Sequence, residues 1–243
     1  MHDPLWLPSR RLFLGSAAAA ALTRFYTVPG AYAEELARTP RMTEGPFYPD
    51  VLPLDTDNDL IIINNSITPA IGEITHLTGR VLSVTGEPVK DAVVEIWQCD
   101  ANAVYLHTAD SKPKAAKQDK NFQGFGRFTT DSKGAYRFRT IKPVPYPQRP
   151  APHIHFKVKK GGRDLLTSQF FINGHPNNKR DFIFNDVRDL VDREFVLVDF
   201  KPMKGSKTGE LSAEYDIVVG LTPDEGKERK KKPGGGRLAP VIM

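Results

Sequence analysis

Two histidines, His153 and His155, stand one residue apart and follow closely behind Tyr146 in the chain. In an extended strand, side chains two positions apart point to the same face, so both imidazoles can reach one ion. A tyrosine nearby can add a phenolate oxygen, and nitrogen and phenolate donors together favour ferric iron. The three residues therefore outline a metal site, although a single strand histidine, or a tyrosine beside proline, is more often a packing residue.

Short segments with alternating hydrophobicity surround these residues. The pattern predicts strands over residues 73–84, 92–97, 126–130, 135–140, 154–158, 165–172, 195–200 and 214–219. Glycine-containing turns at residues 85–88 and 131–134 would join neighbouring strands as hairpins. Such a series indicates an all-β fold, an antiparallel β-sandwich with long wrapping loops and little helix. One short helix is predicted at residues 185–193, with Asn185 or Asp186 as its N-cap.

Two long segments do not fit the strand pattern. Residues 34–72 are rich in proline and aspartate and should wrap the sheets as an extended arm, and residues 98–121 form a polar loop. Loops of this length in a compact domain are usually functional or disordered. Because Tyr105 and His107 lie in the second loop, we expect this loop to contribute to function. For His107 itself, an exposed loop histidine is the favoured interpretation.

The first 33 residues have the features of an export signal. Residues 9–14 (SRRLFL) form a twin-arginine motif, small apolar residues follow at 15–22, and AYA at 31–33 is a processing site. The apolar run is about half as long as a membrane-spanning helix. We therefore expect cleavage after Ala33, no permanent membrane anchor, passage through the twin-arginine export machinery, and a periplasmic or secreted protein.

Charge and length divide the chain into three parts. The formal net charge is +5 for all 243 residues and becomes +3 without residues 1–33. Residues 223–243 carry that excess in a lysine-rich and glycine-containing tail, which should be solvated and disordered. Residues 34–222 are then neutral, which argues against nucleic-acid binding, and they suffice for one domain. Cys99 is the single cysteine, so no intrachain disulfide is expected.

Ordered segments along the predicted sheet match a known pattern. They are TEGPFYP (43–49), GRV (79–81), VEIWQ (94–98), NAVY (102–105), NFQGFGR (121–127), TD (130–131), GAYRF (134–138), TIKPVPYP (140–147) and RPAPHIHF (149–156). The match covers roughly residues 43–175. In these segments the chain resembles the intradiol ring-cleavage dioxygenases, the family of protocatechuate 3,4-dioxygenase and catechol 1,2-dioxygenase.

The resemblance implies an iron site and a reaction. Tyr105, Tyr146, His153 and His155 would bind one ferric iron per chain, with water or hydroxide completing the shell. A catechol substrate would bind as its dianion, and Tyr146 matches the ligand that then leaves the metal and acts as a base. Dioxygen would open the ring between its two hydroxyl-bearing carbons, which gives a cis,cis-muconate-type dicarboxylic acid.

The resemblance also implies two polar groups beside the substrate, and here the chain departs from the family. Arg149 and Gln169 match an arginine and a glutamine that stabilise charge developing on the substrate. The alternatives are a surface ion pair for Arg149 and an ordinary strand hydrogen bond for Gln169. Pro150 stands where the family commonly has its arginine, so the direction of Arg149 is open. The segment between Tyr146 and His153 is shorter than the loop that shapes the carboxylate-accepting pocket of protocatechuate enzymes, so protocatechuate is not implied as the substrate.

A metal-free, transthyretin-like exported binding module is the alternative function. It would keep the sandwich without catalysis, and it would be colourless, whereas phenolate-to-ferric charge transfer would make the enzyme reddish. The residues between the export signal and the first strand are too few for the N-terminal helical dimerisation region of catechol and hydroxyquinol dioxygenases. A homo-oligomer formed through another surface stays open.

Overall fold

The computed structural model describes residues 35–63 and 67–220, which form two five-stranded sheets. One sheet contains β1 (Ile74–Ser83), β4 (Ala135–Ile141), β8 (Phe200–Pro202), β9 (Leu211–Glu214) and β10 (Ile217–Val219). The other contains β2 (Val93–Trp97), β3 (Phe125–Thr129), β5 (His153–Lys160), β6 (Arg163–Ile172) and β7 (Leu197–Val198). The all-β, sandwich-like class is confirmed. The expected export signal at residues 1–33 and the basic tail at residues 223–243 lie outside the described residues.

Strand pairing is antiparallel in the centre of the sheets and partly parallel at their edges. The antiparallel pairs are β1 with β4, β2 with β3 and β5, β5 with β6, and β8 with β9. β9 and β10 both lie parallel to β1, and β7 lies parallel to β6. Parallel neighbours require a crossover connection, which the C-terminal strands provide by returning from a distant part of the chain. The sheets are therefore mixed, and the predicted strands at 195–200 and 214–219 are each divided into two.

Helices are few and short in the described part of the chain. They are α1 (Thr108–Ser111), a 3₁₀-helix (Pro176–Arg180), α2 (Phe182–Asp186) and α3 (Leu190–Glu194). The prediction of one helix over residues 185–193 was wrong. Asp181 and Asp189 each accept backbone N–H groups as N-caps, and Val187 between the two helices has an extended conformation. Two aspartates that cap helices thus begin two helices where a single period suggested one. None of the described helices is long and apolar enough to cross a membrane.

The core lies between the two sheets, and it determines which residues face away from it. Ile96 on β2 and Ile154 and Phe156 on β5 are almost completely buried there. Burying a side chain of this size contributes about 1.5–3 kcal/mol. Because successive strand residues alternate between faces, His153 and His155 lie on the outer face of their sheet.

The N-terminal arm covers that outer face. As expected of an arm, its described residues, 35–63 and 67–72, form neither a helix nor a strand. The Leu36 N–H donates to the Val84 carbonyl at 2.7 Å, next to β1, and the Met42 N–H donates to the Thr167 carbonyl on β6 at 3.0 Å. These bonds tie the arm to both sheets, so residues 43–49 pass over β2 and β5 beside the two histidines.

Candidate metal centre

His153 and His155 lie side by side beneath the arm. Each is 2% exposed, and their ring centroids are 4.8 Å apart. Ile154 between them faces the core, so the strand period alone brings the two imidazoles to one place. The shared face that the sequence predicted is therefore present.

Two tyrosines join the histidines from separate loops. Tyr105 is fixed by its own backbone N–H, which donates to Asp110 at 2.8 Å, and its Oη lies 3.5 Å from His153 Nε2. Tyr146 belongs to a tight turn in which its backbone pairs with that of Arg149. The Tyr146 ring lies 5.3 Å from the Tyr105 ring and 5.6 Å from the His153 ring. All four side chains that the resemblance named thus meet in one buried cluster.

The surroundings of each histidine determine which ring nitrogen is free. His153 Nδ1 lies 2.7 Å from the Ala151 carbonyl oxygen, which accepts a hydrogen bond from Nδ1–H. Nε2 is then the unprotonated nitrogen, and it lies beside Tyr105. His155 stacks on Trp97, with ring centroids 5.0 Å apart and planes within 13°. Both ring nitrogens of His155 are buried, and neither has a hydrogen-bond partner among the residues that the structure describes. Buried polar groups of this kind require a partner, and a metal ion can be that partner because a neutral imidazole nitrogen donates its lone pair to it.

Burial governs the protonation of the four side chains. Burial lowers the pKa of both histidines. The charge of Arg149 lowers the pKa of His153 further, and the pKa of His155 is lowered further by His153 and Arg149. Burial also raises the pKa of Tyr105 well above its ordinary value and that of Tyr146 to about 12, the latter opposed by the charge of Arg149. The imidazoles are therefore neutral at pH 7 and offer lone pairs. The phenols keep their protons until a cation stabilises the phenolates.

This donor set fits a ferric ion. Two neutral imidazole nitrogens and two phenolic oxygens converge, and phenolate is the hard, anionic oxygen donor that suits iron in its higher oxidation state. In the described residues, no three side chains of histidine, cysteine, aspartate or glutamate come together as a metal site. The oxygen donors beside the histidines are therefore tyrosines rather than carboxylates.

Arg149 and Gln169 adjoin the cluster, and they contact each other. Arg149 Nη2 donates to Gln169 Oε1 at 3.0 Å, and Gln169 lies opposite His155 in the pairing of β5 with β6. Arg149 is 5% exposed, and its Nε donates to Asp181 Oδ2 at 2.8 Å. The two alternatives, a surface ion pair for Arg149 and a strand hydrogen bond for Gln169, were therefore incomplete. The ion pair of Arg149 is buried rather than on the surface. Gln169 also donates from Nε2 to the Thr43 carbonyl at 2.8 Å, a bond to the arm rather than along the strand.

Comparison with known proteins identifies the family. A profile of a family described as Dioxygenase matches residues 43–220. The chain is 36% identical over 178 residues to the protocatechuate 3,4-dioxygenase beta chain of Burkholderia cepacia, a match that covers 70% of this chain and 73% of the relative. The chain belongs to the intradiol dioxygenase family. It is therefore an enzyme of the intradiol ring-cleavage class, which argues against the binding module considered as the alternative.

More distant relatives of the dioxygenase agree with this assignment. Catechol 1,2-dioxygenase 1 of Acinetobacter lwoffii is 33% identical over 171 residues, covering 63% of this chain and 52% of that protein. The chain thus spans about half the length of this relative. The structure of an intradiol ring-cleavage dioxygenase from Tetranychus urticae aligns with a TM-score of 0.59 at 20% identity, covering 77% of this chain and 96% of that one. This last likeness concerns the fold.

A cluster of charged residues holds the arm of the dioxygenase over the site. Tyr48 Oη donates to Glu95 at 2.9 Å, and Lys159 Nζ lies 2.8 Å from the same carboxylate. Lys157 Nζ lies 4.5 Å from the centre of the Tyr48 ring and also bonds to Glu44 on the arm. Burial and the charge of Glu95 raise the pKa of Tyr48 to about 12, so it stays a hydrogen-bond donor. These contacts secure the arm at both ends of its crossing.

Some residues of the site were not identified from the sequence. Trp97 lies directly opposite His155 in the pairing of β2 with β5, a neighbour that only the strand register reveals. Phe47 of the arm stacks on Tyr105 with ring centroids 4.9 Å apart. Asp181, which bonds to Arg149, lies within residues 173–184, which the sequence pattern assigned to no element. His107, interpreted from the sequence as an exposed loop histidine, is half-buried and is the N-cap of α1, where its Nδ1 accepts the Ala109 N–H at 3.1 Å.

Proposed function

We propose that this protein is a non-haem ferric dioxygenase that opens a catechol-type ring between its two hydroxyl-bearing carbons. Tyr105, Tyr146, His153 and His155 would hold one ferric iron per chain. When bound, ferric iron makes a coordinated catecholate reactive toward dioxygen. The products would be cis,cis-muconate-type dicarboxylic acids that contain both atoms of the dioxygen consumed.

The observation that carries the proposal is that four donors of the required types converge in a buried site. The family assignment supports it independently of that geometry. The ring nitrogens of His155 support it further, because they have no partner in the described part of the chain and a buried imidazole without an acceptor or donor is otherwise unfavourable.

Tyr146 is the residue to which we assign the movement of a substrate proton. It is 7% exposed against 2% for Tyr105, and burial raises its pKa to about 12 although the charge of Arg149 opposes that shift. As the phenolate that a bound cation would stabilise, its Oη would accept a proton from a catechol hydroxyl and become the neutral phenol, which is general-base chemistry by a positioned side chain. Replacing Tyr146 by phenylalanine should keep most of the iron and lower kcat, because three donors persist and the base is lost.

Arg149 and Gln169 would stabilise charge on the substrate. The guanidinium of Arg149 is held in a fixed direction by Asp181 and Gln169 within a buried site, where a positive charge acts more strongly than in water. The arm excludes water from the same side, since Phe47 covers Tyr105 and Tyr48 packs edge-on against Trp97 at 5.0 Å. These residues preorganise the site before the substrate arrives.

The substrate is proposed to be a catechol that the exported protein binds outside the cytoplasm. Export follows from the twin-arginine motif at residues 9–14, with a mature protein that begins at Glu34. Turnover of catechol, 4-alkylcatechols, protocatechuate and hydroxyquinol by the iron-loaded protein, with product identification, compares the ring substituents that the site accepts. Mass spectrometry of exported material tests the start of the mature chain.

Iron content and visible absorption test the ligand assignment. The purified protein, loaded with ferric or ferrous salts, should hold one iron per chain and absorb visible light through phenolate-to-ferric charge transfer. The variant His155→Ala should lose both, because removing an inner-shell donor leaves no substitute nearby. His76→Ala is the matched control, since His76 is also a strand histidine but pairs with Glu210 at 2.9 Å in the other sheet. A colourless and iron-free wild-type protein, or full iron in His155→Ala, would contradict the assignment.

A further inference from the structure

Asp181 is a fully buried carboxylate at the start of α2, and both of its oxygens accept hydrogen bonds. Oδ1 accepts the backbone N–H groups of Ile183 and Phe184, each at 3.1 Å, which caps the helix. Oδ2 faces the other way and accepts from Arg149 Nε at 2.8 Å. One side chain therefore links the helix to the arginine beside the candidate metal centre.

Two sets of contacts lead from Asp181 into the site. Through Arg149, the carboxylate fixes a guanidinium whose Nη2 donates to Gln169 Oε1 at 3.0 Å. Oδ2 also accepts from the Ala151 N–H at 3.4 Å, and the Ala151 carbonyl is the acceptor 2.7 Å from His153 Nδ1. Asp181 thus contacts both the polar groups proposed to face the substrate and the segment that orients a proposed ligand.

We propose that Asp181 is a positioning residue for the ring-cleavage reaction, acting chiefly through Arg149. This inference rests on the proposed function. The guanidinium of Arg149 also lies over the rings of Phe171 at 5.8 Å and Phe182 at 5.5 Å, and ring contacts of this kind do not by themselves fix where its N–H groups point. The buried anion selects the direction in which Nη2 meets Gln169, and a buried guanidinium needs such an anion. This accounts for how an arginine displaced by one residue along the sequence still reaches the site.

Substitution by serine separates positioning from helix capping. Serine is also a good N-cap residue, so Asp181→Ser keeps an acceptor for the helix but is too short to hold Arg149. We expect kcat to fall about 10- to 100-fold, because a misplacement of the guanidinium by up to about 1 Å can cost a hundredfold in rate, with a much smaller change in KM and with iron retained. Asp189→Ser makes the same change at the N-cap of α3, where Asp189 Oδ1 accepts the Val191 N–H at 2.7 Å, and should leave kcat unchanged.

A double-mutant cycle with Arg149→Ala decides whether the effect passes through the arginine. If it does, adding Asp181→Ser to Arg149→Ala should change kcat less than about twofold, because the two residues act as one unit. The double variant removes both buried charges together, so it allows the comparison even if Asp181→Ser alone folds poorly.

Each result has a separate meaning. Equal kcat for wild type and Asp181→Ser, or losses that multiply in the double variant, would overturn the positioning role while leaving the proposed function intact. A wild-type protein that binds iron but makes no ring-cleavage product would overturn both proposals. An equal loss of kcat in Asp189→Ser would show that helix capping, rather than contact with Arg149, causes the effect.

Discussion

Gly45 on the arm is the residue whose substitution tests the covering of the metal centre most sharply. It has a φ of +73°, and a Cβ added there would lie 3.3 Å from His155 Cε1. The His155 ring has little freedom to move away, because it stacks on Trp97, which is itself fully buried. The variant Gly45→Ala therefore combines backbone strain with pressure on a proposed iron ligand.

The two effects have different sizes. The left-handed conformation costs a residue with a Cβ about 1–2 kcal/mol. For a domain of this length, that loss lowers Tm by about 2–8 °C. Relieving the 3.3 Å contact requires a movement of a few tenths of an ångström. Since a misplacement of about 1 Å can cost a hundredfold in rate, a shift of about 0.3 Å should lower kcat roughly fourfold.

Gly209 provides the matched control. Its φ is +72°, and a Cβ there would meet no atom of the described residues within 4 Å. Gly209→Ala should therefore lose similar stability in thermal unfolding but keep full kcat and an unchanged visible spectrum. If Gly45→Ala also kept the wild-type kcat and spectrum, or if both variants lost activity equally, the arm would not press on His155 and the argument for its role would be refuted.

Three further variants test other parts of the account. Phe156→Ala should lower the free energy of unfolding by about 3–5 kcal/mol through the cavity it leaves in the core, with iron content unchanged in the folded protein, as measured by denaturant titration and metal analysis. Arg149→Ala leaves the buried Asp181 carboxylate without its positively charged partner, so it should cost about 3–5 kcal/mol of stability and lower kcat more than it raises KM, as followed by unfolding and steady-state kinetics. Changing Arg10 and Arg11 together to lysine should block export, as measured by fractionation of cells; unimpaired export would mean that the route is wrong.

Much of the fold could be predicted because hydrophobic alternation acts locally. The period of two around Ile154 gives both the buried face of β5 and the shared outer face of His153 and His155. Pairing at the sheet edges could not be predicted in this way. β9 and β10 lie beside β1 through contacts between residues far apart in sequence, and no local pattern encodes such a neighbour.

The helical segment shows where a local pattern misleads. A single hydrophobic period runs through residues 185–193, yet Asp189 in its middle accepts two backbone N–H groups and begins a new helix. Aspartate competes in this way because its short side chain reaches backbone donors just ahead of it. The same chemistry at Asp181 provides the partner of Arg149, which sequence spacing alone could not supply.

The candidate ligands differ in how far local sequence could identify them. His153 and His155 follow from strand geometry, and Tyr146 from its nearness to them. Tyr105 lies 48 residues from His153 in the chain, and its Oη approaches that ring only in the folded protein. Its assignment depended on the matching segment NAVY at residues 102–105, because no property of the loop itself distinguishes this tyrosine from a packing residue.

Product analysis of a single turnover tests the central claim most directly. The iron-loaded protein is mixed with catechol under dioxygen labelled with oxygen-18, and the product is identified by mass and ultraviolet spectrum. Two phenolates favour ferric iron, which activates the catechol, whereas cleavage outside the diol relies on ferrous iron with two histidines and one carboxylate. The account predicts cis,cis-muconate that carries both labelled atoms. A yellow semialdehyde, or a muconate with no more than one labelled atom, would contradict it.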